Sequence, residues 1–290
     1  ILVRRAARAM LGFTAVLLLT PGAISRAVLG AKAGRSVLVL GGSGYVGREV
    51  CRNAVQQGYR VTSLSRRGVN PEPNSAELAE VNWVAGDATD PAVIKQLAGR
   101  ADAAVHAIGL LFDAESGLGN FNFIVSGSRS VPGDTSTYDR ITRLTAFNLI
   151  SALKSKPRLP GLSKRTPLCF VSAAEAGWPE VEYGERVEAL APAWLVSYLA
   201  AKRLVEAELA ASSGAIRPVV YRPSLIWDWK KLDVLPVIPV FNLLSALGVP
   251  FVDKTVRVET LGKAIVAGLN NEGVEGVQRF PQMEQLAALI

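Results

Sequence analysis

The stretch Ser36-Val37-Leu38-Val39-Leu40-Gly41-Gly42-Ser43-Gly44-Tyr45-Val46-Gly47 decides the fold of this chain. Its first five residues are valine and leucine apart from one serine, a composition typical of a strand buried in a parallel sheet. Three glycines in the pattern G-x-x-G-x-x-G follow at once, and apolar residues at helical spacing then continue from Arg48 to Gly58. This order predicts a strand, a tight turn and a helix, the opening unit of a doubly wound α/β sheet.

The three glycines suit a loop that holds a dinucleotide. The first permits a tight turn, the second lets the backbone approach a pyrophosphate, and the third lets the helix pack on the strand. The pyrophosphate then lies at a helix N-terminus. We therefore predict a Rossmann-type domain whose cofactor-binding residues here are Gly41, Gly44, Tyr45, Val46 and Gly47. The alternative is an inherited fold that keeps its glycines only for packing.

The end of the second strand indicates which dinucleotide is bound. That strand is predicted over 59–64, and it runs into Ser65, Arg66, Arg67 and Gly68. An NAD-binding domain normally places an acidic residue here, whereas two arginines suit the 2′-phosphate of NADPH. We expect Ser65, Arg66 and Arg67 to bind NADPH in preference to NADH. The alternative is that the arginines only cover an exposed loop.

Two further strand ends complete the predicted cofactor site. A strand over 81–87 ends in Asp87, which is placed to meet the adenine amino group. The strand over 102–109 ends in a turn of mostly small residues expected beside the cofactor: Ala107, Ile108 and Gly109. His106, in the apolar part of that strand, is expected to be packed and neutral, with a catalytic role as the alternative.

A later pair of residues carries the predicted chemistry. The apolar run 168–174 contains Ser172 at the predicted strand end, and Tyr198 and Lys202 follow about 25 residues later. Four residues apart, the phenol and the ammonium share one helix face. We expect the ammonium to lower the tyrosine pKa and make it a proton donor or acceptor, with Ser172 hydrogen-bonded to a substrate carbonyl. A surface Tyr-Lys pair without function is the alternative.

In this order, the glycine loop, Ser172 and the Tyr198/Lys202 pair resemble the extended and atypical short-chain dehydrogenase/reductase superfamily, from Ser36 to about Phe280. The resemblance implies catalytic roles for these three side chains, NAD(P) on the glycines and cofactor ribose on Lys202. The stretches 41–51, 61–68, 170–178 and 219–227 look most like mitochondrial and plastid members. Among these are the dehydrogenase-like protein of the coenzyme Q synthesis complex and the Rossmann-type accessory subunit of respiratory complex I.

Three departures from the superfamily pattern count against turnover while remaining compatible with cofactor binding. Leu40 replaces a typical threonine, and the stretch 106–109 replaces an asparagine motif near the cofactor. The bulky Trp227-Asp228-Trp229 replaces a region that usually contains glycine.

Composition excludes several other classes of protein. The chain has 290 residues, two cysteines and one histidine, so neither a disulfide framework nor a cysteine or histidine metal site is expected. A Ser-His-Asp triad is equally unfavoured. Residues 1–48 carry seven arginines and lysines and no acid, and the other 25 basic residues match the 25 acidic ones. A nucleic-acid-binding face is therefore not supported.

Residues 1–35 are predicted to be a targeting or membrane-associated segment, followed by the dinucleotide-binding domain at 36–290 with a small C-terminal lobe at about 228–290. The segment is rich in arginine and alanine, as organelle import signals are. The run 9–19 is too short to span a bilayer, but 9–31 could span it or lie in its interface. A cleaved presequence is the alternative.

Two more segments attract attention. The long Gly/Ser-rich loop 112–136 is typical of functional or partner-binding loops. The apolar segment 235–251 reads either as ordinary core or as a lip that contacts lipid or quinone.

The leading hypothesis is an accessory NADPH-binding subunit of an organellar membrane complex, of the respiratory complex I or quinone-synthesis type. Its cofactor would be structural or regulatory, and its partners would be other subunits, the membrane surface through residues 1–31, and a quinone or lipid. The expected location is the matrix side of the mitochondrial inner membrane, with a plastid or thylakoid membrane as the alternative. The rival is an active NADPH-dependent oxidoreductase that uses Ser172, Tyr198 and Lys202 on a carbonyl or quinone-related substrate. A scaffold that has lost the nucleotide is a third reading.

Overall fold

A computed structural model describes residues 34–116, 118, 133, 135–157, 164–229 and 236–290. Nine strands occur in these ranges: β1 (Ser36–Leu40), β2 (Arg60–Ser65), β3 (Asn82–Ala85), β4 (Ala103–His106), β5 (Thr166–Val171), β6 (Ile216–Tyr221), β7 (Ile226–Trp227), β8 (Val256–Arg257) and β9 (Gly276–Gln278). Seven of them form one sheet in the order β3-β2-β1-β4-β5-β6-β9, and β7 pairs with β8 separately. All of these pairings are parallel.

Helices connect the strands. Those of the described ranges are α1 (Tyr45–Gln56), α2 (Ala76–Ala79), α3 (Pro91–Gly99), α4 (Thr145–Lys154), α5 (Gly184–Ala189), α6 (Ala193–Ala211), α7 (Ile238–Ala246), α8 (Val258–Asn270) and α9 (Phe280–Ala287). A π-helical turn (Asp139–Leu144) leads into α4, and a 3₁₀ helix (Ala174–Glu180) follows β5. The predicted doubly wound, Rossmann-type α/β fold is confirmed.

The alternation of β1 shows how the sheet is buried on both faces. Val37 and Val39 belong to the apolar cluster that includes residues of α1, α8 and α9. Leu38 and Leu40 point the other way, into the cluster with residues of α3, α4 and α6. Successive side chains of a strand face opposite sides, so a strand covered by helices on both sides needs a continuous apolar run.

The apolar segment 235–251, predicted to be either ordinary core or a lip that contacts lipid or quinone, contains α7. Ile238 is buried, whereas Val240, Leu243 and Leu247 are exposed, so the helix is only partly core. Contact with lipid or quinone at this face stays a prediction.

Residues 1–33, nearly all of the predicted targeting segment, lie outside the described ranges, as does most of the loop 112–136. In the portion of the chain that the structure describes, no helix is both long enough and apolar enough to cross a membrane.

Candidate dinucleotide and catalytic site

A cavity of about 980 Å³ opens at the carboxyl ends of the central strands. The strand order reverses between β1 and β4, and doubly wound sheets bind their ligands at such a crevice. The predicted site residues that line this cavity are Gly41, Gly44, Tyr45, Val46, Ser65, Arg66, Arg67, Asp87, Ala107, Ile108, Gly109, Ser172, Tyr198 and Lys202. One space therefore collects the candidate cofactor residues and the candidate catalytic residues.

The glycine loop fits a pyrophosphate because close backbone contacts leave no room for side chains. Gly41 has a φ of +83°, and a Cβ there would lie 3.0 Å from the backbone nitrogen of Ile108 in the turn after β4. Gly47 lies behind the cavity wall, where a Cβ would lie 2.2 Å from the carbonyl oxygen of Gly41. Gly44 is the N-cap of α1, and no side chain caps this helix end. The first amides of α1 are thus suited to an anion.

The loops after β2 and β3 carry charge at the rim. Arg66 and Arg67 are exposed, and neither has an ion-pair partner in the described part of the chain. Ser65 accepts a hydrogen bond from the backbone nitrogen of Gly68 at 3.2 Å. Asp87 accepts one from the backbone nitrogen of Thr89 at 2.8 Å, which holds the pKa of its carboxyl below the usual range. The arginine pair is therefore available to an anionic ligand.

Lys202 is almost fully buried, with 2% of its surface exposed. Its Nζ donates a hydrogen bond to the carbonyl oxygen of Val171 at 2.7 Å and lies 4.9 Å from the centroid of the Phe170 ring. A Cβ on Gly109 would be 3.9 Å from this Nζ, so the ammonium sits beside the turn after β4. Burial lowers the pKa of Lys202 to about 8.

Tyr198 lies one helical turn before Lys202 in α6, and its ring centroid is 5.5 Å from Nζ. The expectation that the ammonium lowers the tyrosine pKa is wrong for this structure. Burial raises the pKa of Tyr198 first, and the Glu175 carboxylate and Tyr138 raise it further. The physical reason is that burial and the Glu175 carboxylate both disfavour a negatively charged tyrosinate, while the Lys202 ammonium donates its hydrogen bond to Val171 and not to the phenol. The phenol thus keeps its proton at neutral pH.

Ser172 lines the cavity, but its hydroxyl is engaged elsewhere. It donates to a carboxylate oxygen of Glu206 at 2.5 Å. Arg222 holds the same carboxylate and also pairs with Glu180. A substrate carbonyl would have to compete with Glu206 for the serine proton. No local pattern predicts this contact, because Glu206 lies 34 residues after Ser172.

His106 is packed and neutral, as expected. The hydroxyl of Thr145 donates to the carbonyl oxygen of Ile141 at 2.6 Å, so the His106 Nε2, at 2.8 Å from that hydroxyl, is the donor. Burial, with the Lys202 charge, lowers the pKa of His106 to about 3.

Two acidic residues in or beside the cavity were not predicted to be site residues. Glu175 lines the cavity three residues after Ser172, and burial raises the pKa of its carboxyl to about 7, with the Asp253 carboxylate adding to the effect. Its place just after a strand end was the available signal. Asp228 is buried and hydrogen-bonds the hydroxyl of Tyr45, which together with burial raises the tyrosine pKa. Asp228 thereby ties the segment after β7 to the glycine loop.

Comparison with known proteins agrees with this geometry. Residues 37–125 match the NAD dependent epimerase/dehydratase family. The similarity to this family extends over the glycine loop and the first four strands of the sheet. The resemblance found in the sequence is therefore confirmed.

Two curated relatives are similar to the chain. MIOREX complex component 2 of Saccharomyces cerevisiae is 24% identical over 281 residues, which cover 83% of this chain and 95% of that protein. The 2-alkyl-3-oxoalkanoate reductase of Stenotrophomonas maltophilia is 26% identical over 205 residues, 69% of this chain. The match spans 53% of the reductase, about half its length.

Among solved structures, the Bordetella bronchiseptica enzyme WbmF in complex with NADH superposes with a TM-score of 0.53 at 16% identity. The match covers 89% of this chain and 76% of WbmF. At this identity the likeness shows the shared fold.

Proposed function

We propose that this protein binds NADPH and uses it to reduce a carbonyl compound. The observation that carries the proposal is that one cavity is lined by the glycine loop, by the two arginines that have no ion-pair partner among the described residues, and by the Tyr198/Lys202 pair. Dinucleotide-binding residues alone would fit a purely structural cofactor. A buried ammonium and a protonated phenol beside the turn after β4 add a means of moving a proton.

The residues of the cavity divide the proposed cofactor among them. Gly41 and Gly44, with the N-terminus of α1, would hold the pyrophosphate, and Arg66 and Arg67 would hold the 2′-phosphate. Asp87 would meet the adenine, and Lys202 the ribose next to the nicotinamide. When bound, the reduced nicotinamide supplies a hydride.

Tyr198 is the proposed proton donor. Because its pKa is raised, it holds its proton at neutral pH and can pass it to a carbonyl oxygen as that carbon receives the hydride. The products are an alcohol and the oxidised cofactor. Solvent then returns a proton to the tyrosinate that remains. The Stenotrophomonas relative is by name a reductase of a ketone, which supports the same direction of reaction.

Replacement of Tyr198 by phenylalanine tests this proposal. Loss of NADPH absorbance is followed with a panel of neutral ketones, aldehydes and quinones. We expect the wild type to oxidise NADPH and Tyr198→Phe to lose about 100-fold or more of that rate, with unchanged affinity for NADPH. Tyr183→Phe, at an exposed tyrosine outside the cavity, is the matched control. An inactive wild type, or an equally active Tyr198→Phe, would contradict the proposal.

A second candidate is an accessory subunit of a multi-subunit complex, in which the cofactor is structural or regulatory. The similarity to MIOREX complex component 2 along 83% of the chain favours it, as does the engagement of Ser172 by Glu206. Residues 1–35 would direct the protein to an organelle, which we propose to be the mitochondrion, on the matrix side of its inner membrane, with a plastid as the alternative. Native gels and cell fractionation test it: a subunit co-migrates with a large complex, and Tyr198→Phe still assembles.

A further inference from the structure

The half of the cavity beyond the cofactor residues has very few charges. We call this part, lined by residues between Val171 and Val252, the far half. Among its described lining residues, Glu175 and Lys202 are the only ones whose side chain carries a carboxyl, ammonium, guanidinium or imidazole group. Lys202 is buried against Val171 at the cofactor end, which leaves Glu175 as the charged group that faces the remaining space.

The walls of the far half are mostly aromatic and aliphatic. Four aromatic side chains line it, those of Trp178, Trp194, Phe241 and Phe251. Leu195 and Ile226 add aliphatic surface. The indole nitrogen of Trp178 donates to the carbonyl oxygen of Phe251 at 3.0 Å, so this part of the wall needs no polar ligand group. Apolar walls with a few convergent polar groups are typical of sites for apolar small molecules.

A nucleoside diphosphate would be poorly held here. Protein sites that bind diphosphates commonly supply arginines or lysines, and among the described lining residues of the far half the buried Lys202 is the only one of these. The Glu175 carboxyl would repel a phosphate when ionised and, when protonated, would offer a single donor. Tyr198 and Glu175 together can instead donate hydrogen bonds to one carbonyl oxygen.

We infer that the far half binds an uncharged, largely apolar carbonyl compound and excludes nucleotide-linked sugars. This inference rests on the proposed function, in which the cavity holds both the cofactor and the substrate. The carbonyl lies at Tyr198 and Glu175, and the apolar body of the ligand lies against the aromatic wall formed by Trp178, Trp194, Phe241 and Phe251. The epimerase-type fold thus serves a different class of substrate from a sugar linked to a diphosphate.

Calorimetric titration of the full chain with neutral methyl ketones tests this assignment. The probes are 2-pentanone, 2-octanone and 2-undecanone, with UDP-glucose as the diphosphate probe, each added to protein saturated with the oxidised cofactor NADP⁺, which cannot reduce a ketone, and to protein without cofactor. We expect affinity to rise about two- to fourfold for each added methylene and UDP-glucose to bind the NADP⁺-saturated protein more weakly than 2-undecanone. Affinity independent of chain length, or tighter binding of UDP-glucose, would overturn the inference.

Two variants of α7 locate the binding. Phe241→Arg should weaken binding of 2-undecanone by about tenfold or more, because it introduces a charge into the apolar wall. Leu243→Arg is the matched control on the exposed face of the same helix, and it should bind the ketone like the wild type. If Phe241→Arg fails to fold, Phe241→Ala should still weaken binding several-fold. Equal ketone affinity in wild type and Phe241→Ala would place the ligand elsewhere.

Titration of NADPH into the protein without cofactor separates the two proposals. If NADPH does not bind while ketone affinity still follows chain length and Phe241, the proposed function fails and the assignment of the far half stands. If NADPH binds and the ketones do not, the assignment fails and the dinucleotide site stands.

Discussion

Lys202 donates a hydrogen bond to the backbone carbonyl of Val171 across 2.7 Å, at the carboxyl end of β5. The bond holds an ammonium inside the protein, beside the turn after β4 and over the face of Tyr198. Burial of a charge costs stability, and here it lowers the pKa of Lys202 to about 8 from 10.5. Buried groups with shifted pKa values are common at functional sites, so the position of Lys202 in the wall of the cavity supports its proposed role.

That cost has a measurable pH dependence. Below pH 8 the ammonium is charged in both states, and between pH 8 and 10.5 the folded state releases its proton first, so stability rises with pH. The free energy of unfolding of the wild type should therefore rise relative to Lys202→Met by roughly 3 kcal/mol across this window. Urea unfolding at a series of pH values measures it. Lys202→Met also loses the hydrogen bond to Val171, but this loss changes its free energy of unfolding by the same amount at every pH. Profiles of stability against pH that stay parallel for wild type and variant would therefore contradict a buried charge at Lys202.

Glu175 should show the opposite slope. Its pKa is raised from 4.5 to about 7, so the folded state keeps a proton that the unfolded chain loses as pH rises. The stability that this proton contributes is complete below pH 4.5 and lost by pH 7. The wild type should therefore lose about 1 to 3 kcal/mol relative to Glu175→Gln across this range. Thermal unfolding from pH 4 to 8 checks the sign, and a wild type that gains on the variant would show that Glu175 is ionised throughout.

Arg66 and Arg67 should distinguish the two nicotinamide cofactors. Replacing both with alanine removes two charge-assisted contacts to a 2′-phosphate, and we expect NADPH affinity to fall about 10- to 100-fold. NADH affinity should change little. Arg60→Ala, at the exposed opposite end of β2, is the matched control. Equal losses for both cofactors, or no loss for NADPH, would show that the arginine pair does not read the phosphate.

Gly47 should not tolerate a side chain. A Cβ there would lie 2.2 Å from the Gly41 carbonyl oxygen and 2.7 Å from the Gly42 Cα, so the backbone of the glycine loop would have to move. Gly47→Ala should destabilise the protein by about 1 to 3 kcal/mol and abolish NADPH binding. Gly99→Ala, in α3 with nothing within 4 Å of the added Cβ, should be neutral or stabilising by up to about 1 kcal/mol. Chemical unfolding and NADPH titration measure both effects.

Much of the cofactor half could be predicted because its signals are local. The spacing of the glycines reflects the close approach of Gly47 to the backbone of Gly41, and Arg66 and Arg67 directly follow their strand. In a parallel sheet the carboxyl ends of the strands meet at one edge, so residues at successive strand ends were expected to converge.

The rest of the site depends on distant residues. Ser172 meets Glu206 across 34 positions of the chain, and the high pKa of Tyr198 follows from burial and from Glu175, which belongs to another element. The π-helical turn Asp139–Leu144 adds a residue to one turn, so the faces of the helix after it shift from simple helical spacing. No periodicity within one element contains this information.

The central claim, that the cavity binds a nicotinamide dinucleotide, is tested most directly by titrating the purified full chain with NADPH and following energy transfer from tryptophan to the cofactor. Trp178 and Trp194 line the same cavity and should be among the donors. We expect saturable binding of one NADPH per chain, with weaker energy transfer when both tryptophans are replaced by phenylalanine. Absence of saturable binding would contradict it, and the protein would then be a scaffold on an inherited fold.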